Sequence, residues 1–141
     1  MGLVLRGRGA ALTPARPITP LRKLLWLDCT AGGAVGLAVL ALSGWLSDVY
    51  GLPRSVLLFT GLANGLYASY SFTLARRDRA PRRLVAALVV ANALWVPVCV
   101  ALAVRFAGEA TAFGLAHLIG EGLFVGGLAW QEWRQRAHAS A

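Results

Sequence analysis

Charged residues are scarce in this chain of 141 residues. They make up 14% of the sequence, and only six of them are acidic, whereas soluble domains carry about 25% charged residues. A soluble domain would also show helices or strands with a polar face for water, and the sequence shows nearly uniform apolar blocks instead. The composition therefore excludes an ordinary soluble domain and favours an integral membrane protein.

Cysteine and histidine are also rare. Cys29 and Cys99 lie in different apolar blocks with no CxxC pair, which excludes the usual thiol–disulfide relay and favours a packing role for both. The histidines are His117 and His138. No cofactor is predicted, although the spacing of His117 and Glu121 leaves haem or metal binding as an alternative.

Four apolar blocks follow a basic tail that contains several prolines. The tail covers residues 1–23, the blocks cover about 24–46, 55–75, 84–106 and 111–130 within one domain (24–133), and a short tail covers 134–141. A helix of about 20 residues crosses about 30 Å of hydrocarbon, and the Leu- and Ala-rich blocks lack the alternation of strands. Prolines should keep the first tail non-helical. The predicted fold is an all-α membrane protein, a bundle of four transmembrane helices.

Basic residues indicate the orientation of this bundle. They concentrate in the N-terminal tail, in the link 76–83 and near the C-terminus, whereas the other two links have only Arg54 and Arg105. The positive-inside rule places both termini in the cytoplasm. The net charge of +8 is thus an orientation signal, and no nucleic-acid partner is predicted. Abundant Arg, Ala and Gly favour a bacterial cytoplasmic membrane.

Polar residues within the blocks recur at helical spacing. The second block has Thr60, Asn64, Tyr67 and Ser71, the third has Asn92, Trp95 and Cys99, the fourth has His117 and Glu121, and the first has Asp28. Spacings of three and four residues keep such side chains on one face of a helix. These stripes are expected to face the bundle interior or a neighbouring subunit.

The depth of each polar residue follows from about 1.5 Å of rise per residue. Counted from the charged flanks, Asn64, Tyr67, Asn92 and Glu121 fall near the midplane. His117 and Trp95 fall further out, and Asp28 falls nearer the cytoplasm. These seven residues form the candidate substrate or proton site.

Glu121 is the central residue of this candidate site. A charged side chain at the bilayer centre costs several kcal/mol, so Glu121 should be protonated, paired with His117, or in contact with water. All three states suit a proton-exchanging site. The structural alternative is a hydrogen bond to Asn64 or Asn92 that holds helices together, an interaction commonly worth about 0.6 kcal/mol.

The leading functional hypothesis is the passage of a small solute or ion, coupled to protons, by a non-enzymatic homo-oligomer. The oligomer is expected because one small bundle has little interior. A second hypothesis is an accessory or assembly subunit of a larger membrane complex, which is favoured by the GxxxG spacings in three of the blocks. A third is a haem- or metal-dependent redox protein.

Overall fold

A computed structural model describes residues 19–136, which fold into five helices and no strands. The helices are α1 (Pro20–Ala41), α2 (Ser43–Tyr50), α3 (Arg54–Ala75), α4 (Arg82–Arg105) and α5 (Ala112–Gln135). The predicted all-α class is therefore confirmed for this part of the chain. Most of the N-terminal tail and the end of the C-terminal tail, including His138, lie outside the described residues.

Helix α1 begins earlier than the apolar pattern predicts. Pro20 occupies the first turn, where its missing N–H and fixed φ are compatible with a helix. The Thr19 hydroxyl accepts a bond from the backbone N–H of Arg22 at 3.4 Å. The end of the basic tail is thus helical, in contrast to the prediction made from its prolines.

The segment expected to link the first two blocks is largely helical. Helix α1 ends at Ala41, and α2 continues the chain from Ser43 to Tyr50, so the predicted link from residue 47 starts too early. The chain reverses at Gly51, which has φ 62°, a left-handed conformation that glycine adopts at little cost.

Three of the helices are long and apolar enough to cross a membrane. They are α1, α4 and α5, with mean hydropathies of 1.7, 2.3 and 1.5 over their most apolar 18 residues. Helix α3 has 22 residues, but polar residues reduce its average. Thr60, Asn64 and Ser71 are buried, whereas its exposed side chains include Leu62 and Leu66. The helices are those of an integral membrane protein.

The outer surface of the long helices is suited to lipid. Exposed hydroxyls bond to carbonyls of their own helices: Thr30 to Trp26 at 2.8 Å, and Ser69 to Gly65 at 2.7 Å. Such bonds satisfy polar groups without water, as hydrocarbon requires. Exposed Trp26 lies near the start of α1, and exposed Trp45 lies in α2, near the opposite end of the bundle. Tryptophan rings favour the two membrane interfaces.

Two apolar clusters close the ends of the bundle. One contains Leu21, Leu25, Leu74, Ala75, Val85 and Leu88. The other contains Val39, Leu46, Leu52, Leu57, Ala103, Phe106 and Leu118. The first cluster joins the start of α1, the end of α3 and the start of α4, and the second joins their opposite ends. The polar residues of the helices lie between the two clusters.

Basic residues are concentrated at the end of the first cluster. Those at this end are Arg22, Lys23, Arg76, Arg77, Arg79, Arg82, Arg83, Arg134 and Arg136, whereas the opposite end has Arg54 and Arg105. Arg22 also joins two helices, because its Nε donates to the carbonyl of Ala75 at 3.0 Å. The folded helices thus have a basic end and an end where Arg54 and Arg105 are balanced by Asp48 and Glu109.

Glycines let α1 and α3 approach closely. A Cβ on Gly36 would lie 3.0 Å from the carbonyl oxygen of Gly61 and 3.1 Å from the backbone nitrogen of Gly65. In the other helix pair, a Cβ on Gly122 would lie 3.2 Å from Cys99 Cβ. These small-residue spacings are therefore used inside one chain, by the packing of α1 on α3 and of α4 on α5.

The first prediction concerns the contact at Gly36. Gly36→Ala should lower the free energy of unfolding by about 1–3 kcal/mol relative to Gly65→Ala, because the added methyl group meets backbone atoms of α3. A Cβ on Gly65 meets nothing within 4 Å, so this control has the same gain in helix propensity without the clash. Thermal unfolding in detergent measures the difference, and equal midpoints for the two variants would contradict the packing.

Candidate functional site

Glu121 of α5 accepts hydrogen bonds from two other helices. Asn64 Nδ2 of α3 donates to Glu121 Oε1 at 2.8 Å, and Trp95 Nε1 of α4 donates to the same oxygen at 2.7 Å. Asn64 Nδ2 also donates to the Thr60 carbonyl at 3.0 Å. These are hydrogen bonds of ordinary length, and through them Glu121 joins α3, α4 and α5.

The second oxygen of Glu121 lies beside His117. Glu121 Oε2 is 3.5 Å from His117 Nε2, and both side chains are largely buried. Among the described residues, neither atom has a hydrogen-bond partner. Buried polar atoms are rarely left in this condition, and at 3.5 Å a proton between the two atoms would pair them.

The ring of His117 is held at the end of the fold opposite the basic end. It stacks on Tyr50 of α2 with ring centroids 5.1 Å apart. The end of α2 is tied to the start of α5, because the Tyr50 carbonyl accepts from the Thr111 backbone N–H at 2.8 Å. The Val49 carbonyl accepts from the Thr111 hydroxyl, also at 2.8 Å. Helix α2 thus covers the His117–Glu121 pair on the side that faces away from the basic end.

A second polar cluster lies nearer the basic end. Ser71 Oγ donates to Asp28 Oδ2, and Asn92 Nδ2 donates to Glu132 Oε2 at 3.4 Å. Asp28 and Asn92 also line a common cavity. All four side chains are buried, and Glu132 is 0% exposed. Each long helix contributes one residue to this cluster.

One cavity of about 300 Å³ connects the two clusters. Its polar lining residues are Asp28, Asn64, Tyr67, Asn92, His117 and Glu121. On α5 the lining runs from Ala116 to Val125, a distance of about 13 Å along the helix. Val35 of α1 and Phe124 of α5 line the cavity and are also exposed, so the cavity opens between these two helices.

The structure brings most of the predicted residues together around this cavity. Trp95 contacts Glu121 and stacks edge-on against Tyr67, with centroids 5.8 Å apart. The Tyr67 hydroxyl donates to the Ala91 carbonyl at 3.4 Å. Asn92, which was expected at the level of Glu121, hydrogen-bonds to Glu132 instead. The single expected layer is therefore divided into two polar levels.

Glu132 is a buried polar residue that the sequence reasoning missed. It lies two residues beyond the predicted end of the fourth span, near Arg134, and such positions are normally at the membrane surface. The sequence did contain a signal: residues 117, 121, 125, 128 and 132 recur at spacings of four, four, three and four. That spacing places Glu132 on the same face of α5 as Glu121.

Residues 19–136 contain no group of three or more His, Cys, Asp or Glu side chains placed to hold a metal ion. Comparisons of the chain with protein-family models, with curated proteins and with solved structures found no match.

A double-mutant cycle tests the bond between Trp95 and Glu121. Trp95→Phe keeps an aromatic ring but removes the Nε1 donor, so it should destabilise the wild type more than it destabilises Glu121→Leu. A coupling of about 0.5–2 kcal/mol is expected for hydrogen-bonded neighbours, measured by unfolding in detergent micelles. Trp130→Phe, at an exposed tryptophan, should show no coupling to Glu121. Additive effects of Trp95→Phe would disprove the bond.

Proposed function

We propose that this protein is a four-span membrane transporter that exchanges a small cation for protons through the cavity between its helices. The carrying observation is the pair of unpartnered atoms, Glu121 Oε2 and His117 Nε2, which are 3.5 Å apart at the cavity. A carboxyl group with one oxygen fixed and the other free holds a proton when the cavity is empty. When a cation enters, the carboxylate stabilises it and the proton leaves.

The charges of the cavity support a cationic substrate. Asp28 and Glu121 line it, and Glu132 lies beside Asn92 of the lining. No Lys or Arg side chain of residues 19–136 lines this cavity. When these carboxyl groups lose their protons, they create a negative field in a low-dielectric interior, where His117 is the one lining residue of 19–136 that can carry a positive charge. Such a field favours small cations and excludes anions.

The apolar clusters support alternating access to this cavity. Leu25, Leu74 and Leu88 pack on the side of the basic end, and Leu46, Leu57 and Leu118 pack on the opposite side. A site between the two apolar clusters is closed along the bundle axis. Transport then requires each cluster to open in turn, as rocking of one helix pair against the other would allow.

The proposal includes four crossings with the basic end in the cytoplasm. Helices α1, α3, α4 and α5 have 22 to 24 residues, or about 33–36 Å. The polar residues of α3 are buried and its exposed residues are mostly apolar. These features support α3 as a fourth span, and the positive-inside rule supports the orientation.

Cysteine labelling tests the number of crossings. In a background without Cys29 and Cys99, Asp48→Cys should react with a membrane-impermeant maleimide added to intact cells. Asp78→Cys should react only after the membrane is permeabilised. Both positions are exposed: Asp48 lies in α2, before the start of α3, and Asp78 lies in the link after the end of α3. If α3 does not span, both cysteines will react from the same side, and the reverse pattern would invert the orientation.

A flux assay tests the role of Glu121. The purified protein is reconstituted in proteoliposomes with an entrapped pH indicator, and an inward gradient of Na⁺, K⁺ or methylammonium is imposed. At least one cation should drive protons out of proteoliposomes that contain the wild-type protein, which the entrapped indicator records as a rise in internal pH. Glu121→Gln should reduce this proton flux at least tenfold. Glutamine keeps the oxygen that Asn64 and Trp95 contact, so the variant removes only the titratable group.

Glu109→Gln is the matched control for this assay. Glu109 is an exposed glutamate in the link before α5, paired with Arg105 at 3.3 Å, and its variant should transport like the wild type. Full flux in Glu121→Gln would remove the carboxylate from the mechanism. No flux with any of the three cations, together with stoichiometric co-purification of another membrane protein, would favour an accessory subunit.

The predicted homo-oligomer stays part of the proposal. Its original reason was a small interior, whereas one chain already contains a cavity of about 300 Å³. The opening of this cavity between α1 and α5 now supports it better, because a second copy placed there would separate the polar lining from lipid.

A further inference from the structure

We propose that Asp28 and Glu132 form a second proton-binding site, in which the two buried carboxyl groups share one proton. The proposed role of Glu121 does not require this site. The contribution of the site to coupling rests on the proposed cation exchange, but proton binding at the pair does not.

The geometry of the pair is the first argument. Asn92 Nδ2 donates to Glu132 Oε2 at 3.4 Å, and Asn92 and Asp28 line the same cavity. Like-charged carboxylates that share one site cannot both ionise cheaply, and one proton then belongs to the pair as a whole. The hydroxyl of Ser71, which donates to Asp28 Oδ2, fixes the orientation of the other partner.

The unsatisfied oxygen of Glu132 is the second argument. This side chain is fully buried, and its Oε1 has no hydrogen-bond partner among the described residues. A bare carboxylate oxygen in this position would be very costly, because it has neither water nor a donor. A proton on the pair removes the charge and most of the cost.

The lack of a neighbouring cation is the third argument. Within residues 19–136, neither Asp28 nor Glu132 forms a salt bridge. The other ionisable groups of the shared cavity are Tyr67 of α3 and His117 and Glu121 of α5. His117 pairs with Glu121 rather than with Asp28 or Glu132, and α4 contributes the neutral amide of Asn92. Arg22 lies about 9 Å from Asp28 along α1, toward the N-terminus of the helix, and its Nε donates to the Ala75 carbonyl.

The location of the pair indicates what the proton does. Asp28 and Asn92 line the same cavity as Glu121, and the pair lies on the side of the basic end. The pair can therefore release its proton toward that end of the bundle and then accept one that leaves Glu121. In the proposed exchange, the pair is the site that takes up or releases protons at the cytoplasmic side.

Infrared spectroscopy of the full-length protein tests this site without a transport assay. A protonated carboxylic acid has a C=O band that shifts in D₂O, and Glu121→Gln removes the signal of the first site. The Glu121→Gln protein should still show one such band at neutral pH. Glu121→Gln/Glu132→Gln should lose or displace it, and Glu121→Gln/Glu109→Gln should retain it unchanged.

A second variant pair keeps the test decisive if Glu132→Gln does not fold. In the Glu121→Gln background, Ser71→Ala removes a donor to Asp28 and should displace the band. Ser69→Ala should not, because Ser69 is exposed and bonds within its own helix. Absence of the band in Glu121→Gln, or a band indifferent to both Glu132→Gln and Ser71→Ala, would overturn the shared proton. Neither result would affect the flux expected through Glu121.

Discussion

The cost of burying carboxyl groups in an apolar bundle is the constraint on which this structure depends. Glu121 accepts bonds at 2.8 and 2.7 Å from helices α3 and α4, and Glu132 accepts one from α4. Interhelical bonds in membranes are individually weak, about 0.6 kcal/mol on average, whereas an unpartnered buried charge costs several times more. The helices are thus held in one register less by attraction than by the penalty for leaving a carboxyl group unsatisfied.

This constraint explains the order of layers along the bundle. Apolar side chains, with Leu25 at one end and Leu118 at the other, fill the two ends. The buried carboxyl groups, those of Asp28, Glu121 and Glu132, lie in the middle, where four helices can supply donors and hydroxyls. Glycines at α1–α3 and α4–α5 contacts bring each pair close, and the looser seam between α1 and α5 is where the cavity opens. A protein built in this way has a polar interior without a continuous aqueous path.

Much of the fold was predictable because its signals are local. The length and apolarity of α1, α4 and α5 depend only on composition, and helices are one of the two structures that hydrocarbon tolerates. The errors were also local in origin. The prolines of the tail predict a non-helical segment, but Pro20 fits the first turn of α1. The apolar pattern predicts a link from Ser47, but α2 continues to Tyr50.

The candidate site was predictable only in part. Helical spacing placed Glu121, His117 and Asn64 on polar stripes, because side-chain direction follows from 3.6 residues per turn. Spacing could not show that Trp95 donates to Glu121, that Asn92 pairs with Glu132, or that Tyr50 stacks on His117. Those contacts join residues 26, 40 and 67 positions apart.

The sequence by itself determined that this is a helical membrane protein with one polar stripe on each long helix. Composition and periodicity are properties of single segments, so they can be read without knowing the neighbours. Only the tertiary structure decided that the stripes face one another and that the carboxyl groups divide into two clusters around one cavity. The reason is physical: which donor reaches which carboxyl group depends on the rotation and vertical offset of whole helices, and these are set by packing between segments distant in the chain.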